Sequence, residues 1–275
     1  MRDYRSYLRE EKFPQMWCAG CSHGTALGSI ARAMAALNLL PEKTVVSTGI
    51  GCWGKADDYF RTHVFHGTHG RALSFASGIK IARPELTVLS LMGDGDSVTI
   101  GGNHFIHSAR RNVDITAIIT NNFNYGMTGG QYSSSSPEGS ITTTSKYGTV
   151  EQGFDICQLA ITSGATFVAR STPYHVNQLD KMIAQAIAHK GFSVVEIISS
   201  CPTYFARYNH GVSTVDMLTQ FKEKALSKAR YDALPEEEKH KHYLTGKLHH
   251  VEQADFHTKY AALQQRAKEE SGGAV

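Results

Sequence analysis

The sequence has little that would carry it out of a cell or onto a polyanion. Its opening residues, MRDYRSYLREEKFPQMW, are densely charged and contain none of the apolar core of a signal peptide, and no later stretch approaches the length of a membrane span. A cytoplasmic protein without membrane contact is the expectation. No basic run with interleaved aromatics occurs, and a net charge of only +3 with histidine neutral leaves nothing to draw the chain strongly to nucleic acid. The five cysteines, Cys18, Cys21, Cys52, Cys157 and Cys201, are odd in number and accompany no export signal, which argues against a disulfide framework and for ligands or a reactive thiol. Internal repeats are missing too. What remains is an ordinary globular composition, and 275 residues suffice to bury a substantial core.

Apolar runs rich in β-branched residues fall at 44–47, 86–92, 115–120, 166–170 and 193–198. Between them lie segments of helical period: 25–39 behind the capping candidate Ser22, 71–83 ended by Pro84, 102–111, 154–163 and 175–189. This alternation predicts an α/β fold, a mainly parallel sheet with helices on both faces, whose ligands gather at the C-terminal ends of strands. Residues 132–149 are rich in Ser, Thr and Gly and read as an ordered loop or lid. From about Gly211 the composition shifts to charged helix formers without strand-like runs. Two parts are therefore expected, a ligand-binding domain over 1–210 and a helical C-terminal arm over 211–275.

The run at 86–92 passes straight into Gly93-Asp94-Gly95-Asp96, and the next strand ends in Asn121-Asn122. An acid and an amide at neighbouring strand ends, with glycines that let backbone approach, are hard oxygen ligands suited to Mg²⁺ holding a diphosphate. Either half alone reads as a capping turn; together, at this spacing, they are specific. The pattern resembles the thiamine diphosphate fingerprint. The longer string through Ile100-Gly101-Gly102-Asn103-His104 and Asn121-Asn122-Phe123-Asn124-Tyr125-Gly126-Met127-Thr128-Gly129-Gly130-Gln131-Tyr132-Ser133 resembles the β subunit of 2-oxoacid:ferredoxin oxidoreductases, and the likeness runs from about Trp17 to about Thr203. It implies that Asp94, the Asn122 side chain and the Asn124 carbonyl hold Mg²⁺. It also implies thiamine diphosphate contacts from Ile50, Gly51, Cys52, Trp53, His69, Gly93, Gly95, Asp96, Met127 and Thr128.

A lone C-x-x-C, here Cys18-Ala19-Gly20-Cys21, fits zinc or a thioredoxin-like redox pair as well as iron–sulfur. The resemblance decides among these. Its W-C-x-G-C, G-I-G-C and C-P-T elements match Cys18, Cys21, Cys52 and Cys201, which implies a [4Fe–4S] cluster on four thiolates. Ala19 departs from the proline common in relatives, with both ligands and their spacing kept. Cys157 is left over, on what reads as the apolar face of a helix, where a buried, inert thiol is expected.

Gly49-Ile50-Gly51-Cys52-Trp53-Gly54-Lys55-Ala56 also mimics two phosphate-binding motifs. As a P-loop it fails at Ala56, where a Ser or Thr hydroxyl is required. As a dinucleotide fingerprint it lacks the acid some twenty residues on. The resemblance instead places Cys52 against the cluster and Ile50 to Trp53 against thiamine diphosphate. It also sets Lys55 and Met127 at the border of the substrate pocket, where a fixed cation would favour a dicarboxylate such as 2-oxoglutarate. His63, His66 and His69 are broken by Gly67 and Gly70, and no metal is expected there.

The activity implied is oxidative decarboxylation of a 2-oxoacid to an acyl-CoA, with electrons passed through the cluster to ferredoxin, or the reverse carboxylation under strong reductant. Thiamine enzymes need a carboxylate on the pyrimidine side. No second set of strands remains here to carry one, so an α subunit is expected to supply that residue and the coenzyme A site. The alternatives are pyruvate or broad 2-oxoacid specificity, a non-redox thiamine decarboxylase or synthase with structural zinc, and a non-enzymatic cluster carrier.

Overall fold

The computed structural model describes residues 3–209 and 213–271. Its strands are β1 (Thr44–Thr48), β2 (His63–His66), β3 (Thr87–Gly93), β4 (Thr116–Asn121), β5 (Asn124–Tyr125), β6 (Gln131–Tyr132), β7 (Phe167–Ser171), β8 (Ser193–Ile198), β9 (Ala225–Leu226), β10 (Tyr243–Leu244) and β11 (Gly246–His250). Seven of them form one sheet in the order β11-β7-β8-β4-β3-β1-β2. Every pairing in it is parallel except β11 with β7, which is antiparallel and slips register between Lys247 and His249. The five runs expected from the sequence are β1, β3, β4, β7 and β8.

Successive side chains of a strand point to opposite faces, so a strand buried on both sides is apolar at consecutive positions. Val45 and Val46 divide between two cores accordingly. On one face, α1 (His23–Ala36) packs Leu27, Ile30 and Met34 with Leu89, Leu91, Ile118 and Val195. On the other, α2 (Ala72–Ala82) and α3 (Gly102–Arg111) bring Leu73, Ala76 and Phe105 against Val88, Met92, Ile119 and Val194. Each fully buried Leu or Ile contributes about 1.5–3 kcal/mol, so truncating Leu91 or Ile118 to Ala would cost roughly 2–5 kcal/mol. α4 (Ile156–Thr162) and α5 (Val176–Ala188) cover the rest, one on each face. Ser22 stands at the N-cap of α1 but makes no capping bond; its hydroxyl lies 3.4 Å from that of Ser200.

The expected domain boundary near Gly211 lies outside the described residues. α6 (Phe205–Asn209) precedes it; beyond it α7 (Thr214–Lys224) carries a Ser213–Asp216 capping box, and a last helix spans Phe256–Glu270. The arm is therefore largely helical, but not free of strands: β9 pairs with β10, and β11 extends the main sheet. β2 and β11 escaped the sequence reading because both are edge strands. All four β2 residues are exposed, so no burial alternation is written into them. No described helix is long and apolar enough to cross a membrane.

Candidate active site

β1, β3 and β4 lie side by side, and the loops after their C-terminal ends surround an open cleft. Asp94 sits at the tip of β3, where the chain turns into a π-helical turn, Gly95–Ile100, a geometry frequent at functional sites. Asn122 and Asn124 follow β4. All the cofactor contacts implied by the sequence line this one cleft: Ile50, Gly51, Cys52, Trp53, His69, Gly93, Gly95, Asp96, Met127 and Thr128, together with Asp94, Asn122 and Asn124. Sequence reasoning missed His23, Thr120, Tyr125 and Gly126, which line it too. His23 is brought in by the first turn of α1, two residues after Cys21, and nothing in the motif marks it as part of the cleft.

The acid end of the cleft is built as an oxygen nest. Oδ1 of Asn122 lies 2.8 Å from the Asn124 carbonyl oxygen, 3.1 Å from Asn124 Oδ1 and 3.2 Å from Asp94 Oδ1, acceptor facing acceptor. A divalent cation satisfies that arrangement as it stands; otherwise the amide must turn its nitrogen inward. Asp94 is buried, and burial raises its pKa to about 6 despite hydrogen bonds from Ser133, Ser135 and the Asn122 backbone. Ser133 and Ser135 donate to Asp94 Oδ2 at 2.5 and 2.8 Å. The Ser/Thr-rich loop is thus ordered, and its hydroxyls orient a candidate metal ligand.

Asp96 ties three loops together. Its Oδ1 accepts from the Gly70 N–H at 2.6 Å and the Ile50 N–H at 3.4 Å, and His69 Nε2 stands 3.5 Å away. Burial raises its pKa as well, with the Gly70 N–H pulling the other way. Four buried polar atoms of the lining have no protein partner: His23 Nδ1, Asp96 Oδ2, Thr120 Oγ1 and Asn124 Nδ2. Buried polar groups are nearly always satisfied, so four orphans around one cleft mark a site for a polar ligand. His23 is held neutral, since burial lowers its pKa to about 3.

The glycines of the 49–54 turn have two geometric roles. A Cβ on Gly49 would lie 2.0 Å from Asp96 Oδ2, and Gly51 adopts φ +126°, which side chains rarely tolerate. Cys52 follows, half-buried on the cleft wall. Cys18, Cys21 and Cys201 gather near it. A Cβ added to Gly126 would stand 3.4 Å from Cys201 Sγ and 3.7 Å from Cys52 Sγ, so both sulfurs face the glycine-rich turn after Asn124. Burial pushes the Cys21 thiol up to about 12, with Cys52, Cys201 and Cys18 adding repulsion, and burial likewise pushes Cys52 up to about 11. Mutually repelling thiolates need a shared cationic centre before they can ionise together, which is what an iron–sulfur cluster provides. Aromatic packing joins the two sites: the Trp17 indole donates to the Cys52 carbonyl at 2.6 Å, and its ring lies 5.5 Å from His23 and 5.7 Å from Trp53.

Other residues singled out in the sequence lie elsewhere. Lys55 is not part of the cleft lining; its Nζ pairs with Asp58 at 2.8 Å on the short helix Trp53–Tyr59. Cys157 is buried, and burial holds its thiol well above the usual range, but its surroundings are not wholly apolar. Its Sγ donates towards Glu196 Oε2 at 3.2 Å, within a buried cluster in which Arg170 Nε binds the same carboxylate oxygen at 2.6 Å and Asn121 Nδ2 binds Oε1 at 2.8 Å. His63 and His66 belong to β2, and His66 Nδ1 pairs with Asp57 at 3.0 Å.

Residues 49–197 match the sequence family described as "Thiamine pyrophosphate enzyme, C-terminal TPP binding domain". A protein named 2-oxoglutarate synthase subunit KorB, from Archaeoglobus fulgidus, is 51% identical over 221 residues, covering 80% of each chain. Its namesake from Methanocaldococcus jannaschii is 40% identical over 96% of this chain and 98% of its own. Among solved structures, a 2-oxoglutarate:ferredoxin oxidoreductase from Magnetococcus marinus, determined with 2-oxoglutarate, coenzyme A and succinyl-CoA bound, superposes with a TM-score of 0.86 at 31% identity, over all of this chain and 92% of that one. With a thiamine pyrophosphate-binding domain over more than half its length and relatives matched almost end to end, the chain belongs to the KorB-type β subunits of the 2-oxoacid:ferredoxin oxidoreductases.

Proposed function

We propose that this β subunit oxidatively decarboxylates 2-oxoglutarate to succinyl-CoA, passing electrons to ferredoxin through a [4Fe–4S] cluster on Cys18, Cys21, Cys52 and Cys201. Mg²⁺ on Asp94, Asn122 and the Asn124 carbonyl would hold the thiamine diphosphate. One observation carries the reading: the oxygen nest and Cys52 line the same cleft. Bound thiamine diphosphate supplies carbanion and electron-sink chemistry, and a cluster supplies one-electron acceptance; the protein contributes position and electrostatics.

The residues divide that work. Ser133 and Ser135 fix the carboxylate of Asp94, as outer-shell partners do for metal ligands. Asp96 draws the Ile50 and Gly70 backbones to one side of the diphosphate end. Trp53 and His23, both buried, wall the cleft on the cysteine side and keep water from it. The cleft is open on its other side, where Ile50 and Met127 are exposed. An α subunit fits there, bringing the pyrimidine-side glutamate and the coenzyme A site. The choice of 2-oxoglutarate follows the names of the relatives rather than Lys55, whose charge is already paired with Asp58.

Anaerobic assay of the chain co-expressed with its α subunit tests the proposal. Ferredoxin reduction should require thiamine diphosphate, coenzyme A and 2-oxoglutarate, with pyruvate a poor donor. Equal rates on pyruvate would overturn the substrate, and full activity of the β chain alone would overturn the division of labour between subunits.

A further inference from the structure

Three non-glycine residues among those described have a left-handed backbone: Asn38, Asn112 and Phe123. Asparagine tolerates that conformation because its short side chain bonds locally; phenylalanine has no such compensation. Phe123, at φ +62°, stands between Asn122 and Asn124, the two amides of the oxygen nest. Its peptide groups are held on both sides, the N–H donating to Asn121 Oδ1 at 3.1 Å and the carbonyl accepting from Ser136 Oγ. A strained residue persists only where its surroundings over-determine it, and such residues gather at ligand sites.

The arm supplies part of the surroundings of the ring. Phe123 packs in a cluster with Ile198, Cys201, Phe205 and Phe221, with Tyr243 against it. The Tyr243 ring stacks on Phe123 at 6.5 Å with an interplanar angle of 17°, and Phe205 closes on it at 5.4 Å. Phe221, on α7, belongs to the same cluster, and Tyr243, on β10, is the arm residue whose ring meets that of Phe123. Relaxing Phe123 to negative φ would swing both neighbouring asparagines out of the nest, because ligand and carbonyl are attached to the peptides that rotate.

We propose that Tyr243 is a positioning residue for the thiamine diphosphate–Mg²⁺ site: stacked on Phe123, it holds the left-handed turn that aims Asn122 and the Asn124 carbonyl at one point. The inference rests on the reading of that nest given above, and it assigns the arm a role in the site although none of its residues lines the cleft.

The test is the thiamine diphosphate dissociation constant at saturating Mg²⁺, measured by calorimetry on the full chain assembled with its partner subunit. Tyr243→Phe keeps the stacked ring and should bind within about twofold of the unmodified protein, whereas Tyr243→Ala should bind roughly tenfold more weakly, the scale of one strained backbone residue. Phe123→Gly removes the need for a clamp, since glycine reaches φ +62° freely, so adding Tyr243→Ala to it should change affinity by less than about twofold. Undiminished affinity in Tyr243→Ala, or an equal loss in the Phe123→Gly background, overturns the inference. Should Tyr243→Ala fail to fold, Phe123→Ala against Phe123→Gly asks the same question: the alanine variant should bind more weakly, and equal affinities refute the clamp. No binding by the unmodified complex would overturn the reading of the nest itself, and this inference with it.

Discussion

Two buried polar clusters sit about the C-terminal half of the sheet, and they are finished to different degrees. Around Glu196 every group is paired: Arg170 binds its carboxylate and also Asp155, Asn121 takes the second oxygen, and the Cys157 thiol points at the first. Around Asp94 and Asp96 the pairing is incomplete, with orphan atoms on Asp96, Thr120 and Asn124. The first cluster is a closed account of charge. The second is complete only with a ligand, and the two are wired together, since Ser135 donates to Asp94 and also reaches Asn121 Oδ1 at 3.1 Å.

The contrast can be broken most forcefully from the closed side. Arg170→Met leaves Glu196 buried without its cation and should cost about 3–5 kcal/mol of stability in chemical denaturation. Asp94→Asn should do the opposite: the ligand-free protein melts no lower than the unmodified one, while thiamine diphosphate affinity in Mg²⁺ falls at least about 100-fold, beyond what loss of an outer-shell partner produces. An affinity near normal in that variant would remove Asp94 from the metal site. Ser135→Ala probes the link between clusters and should weaken Mg²⁺-dependent binding by roughly tenfold, at the low end of outer-shell effects.

Acidity sharpens the same comparison. An aspartate whose pKa is raised to about 6 holds its proton more tightly folded than unfolded. The ligand-free fold gains from that proton below the ordinary value of 3.8 and loses the gain as pH rises through 6. Cation binding reverses the balance because it needs the ionised form. The rise in melting temperature caused by Mg²⁺ and thiamine diphosphate should therefore be larger at pH 7.5 than at pH 5.5, and a rise independent of pH would contradict the role given to Asp94.

The central strands and the residues of the cleft could be read before any coordinates because both leave dense local signals. β3 and β4 are continuous apolar runs, and Asp94 and Asn122 directly follow them. Residues whose part depends on distant partners left no such mark. Ser133 and Ser135 look like any solvated serines until the loop is seen folded over Asp94, and Glu196 reads as a polar interruption of β8 until Arg170 is placed beside it. β11 was hidden for the same reason: an edge strand buries only part of its surface, and Lys247 and His249 blur its period. Nothing in the sequence around Lys55 announces its pairing with Asp58, one helical turn away.

That last strand of the sheet also governs how the polypeptide must be handled. β7 is buried on both faces, and among the described residues its outer rim is paired by β11, contributed some seventy-five residues later. A truncation that removed the arm would uncover a row of unpaired amides on an apolar ribbon, the template on which chains add to one another. The C-terminal quarter thus guards against fibrous or amorphous association, and shortened versions should be judged by solubility before they are judged by rate.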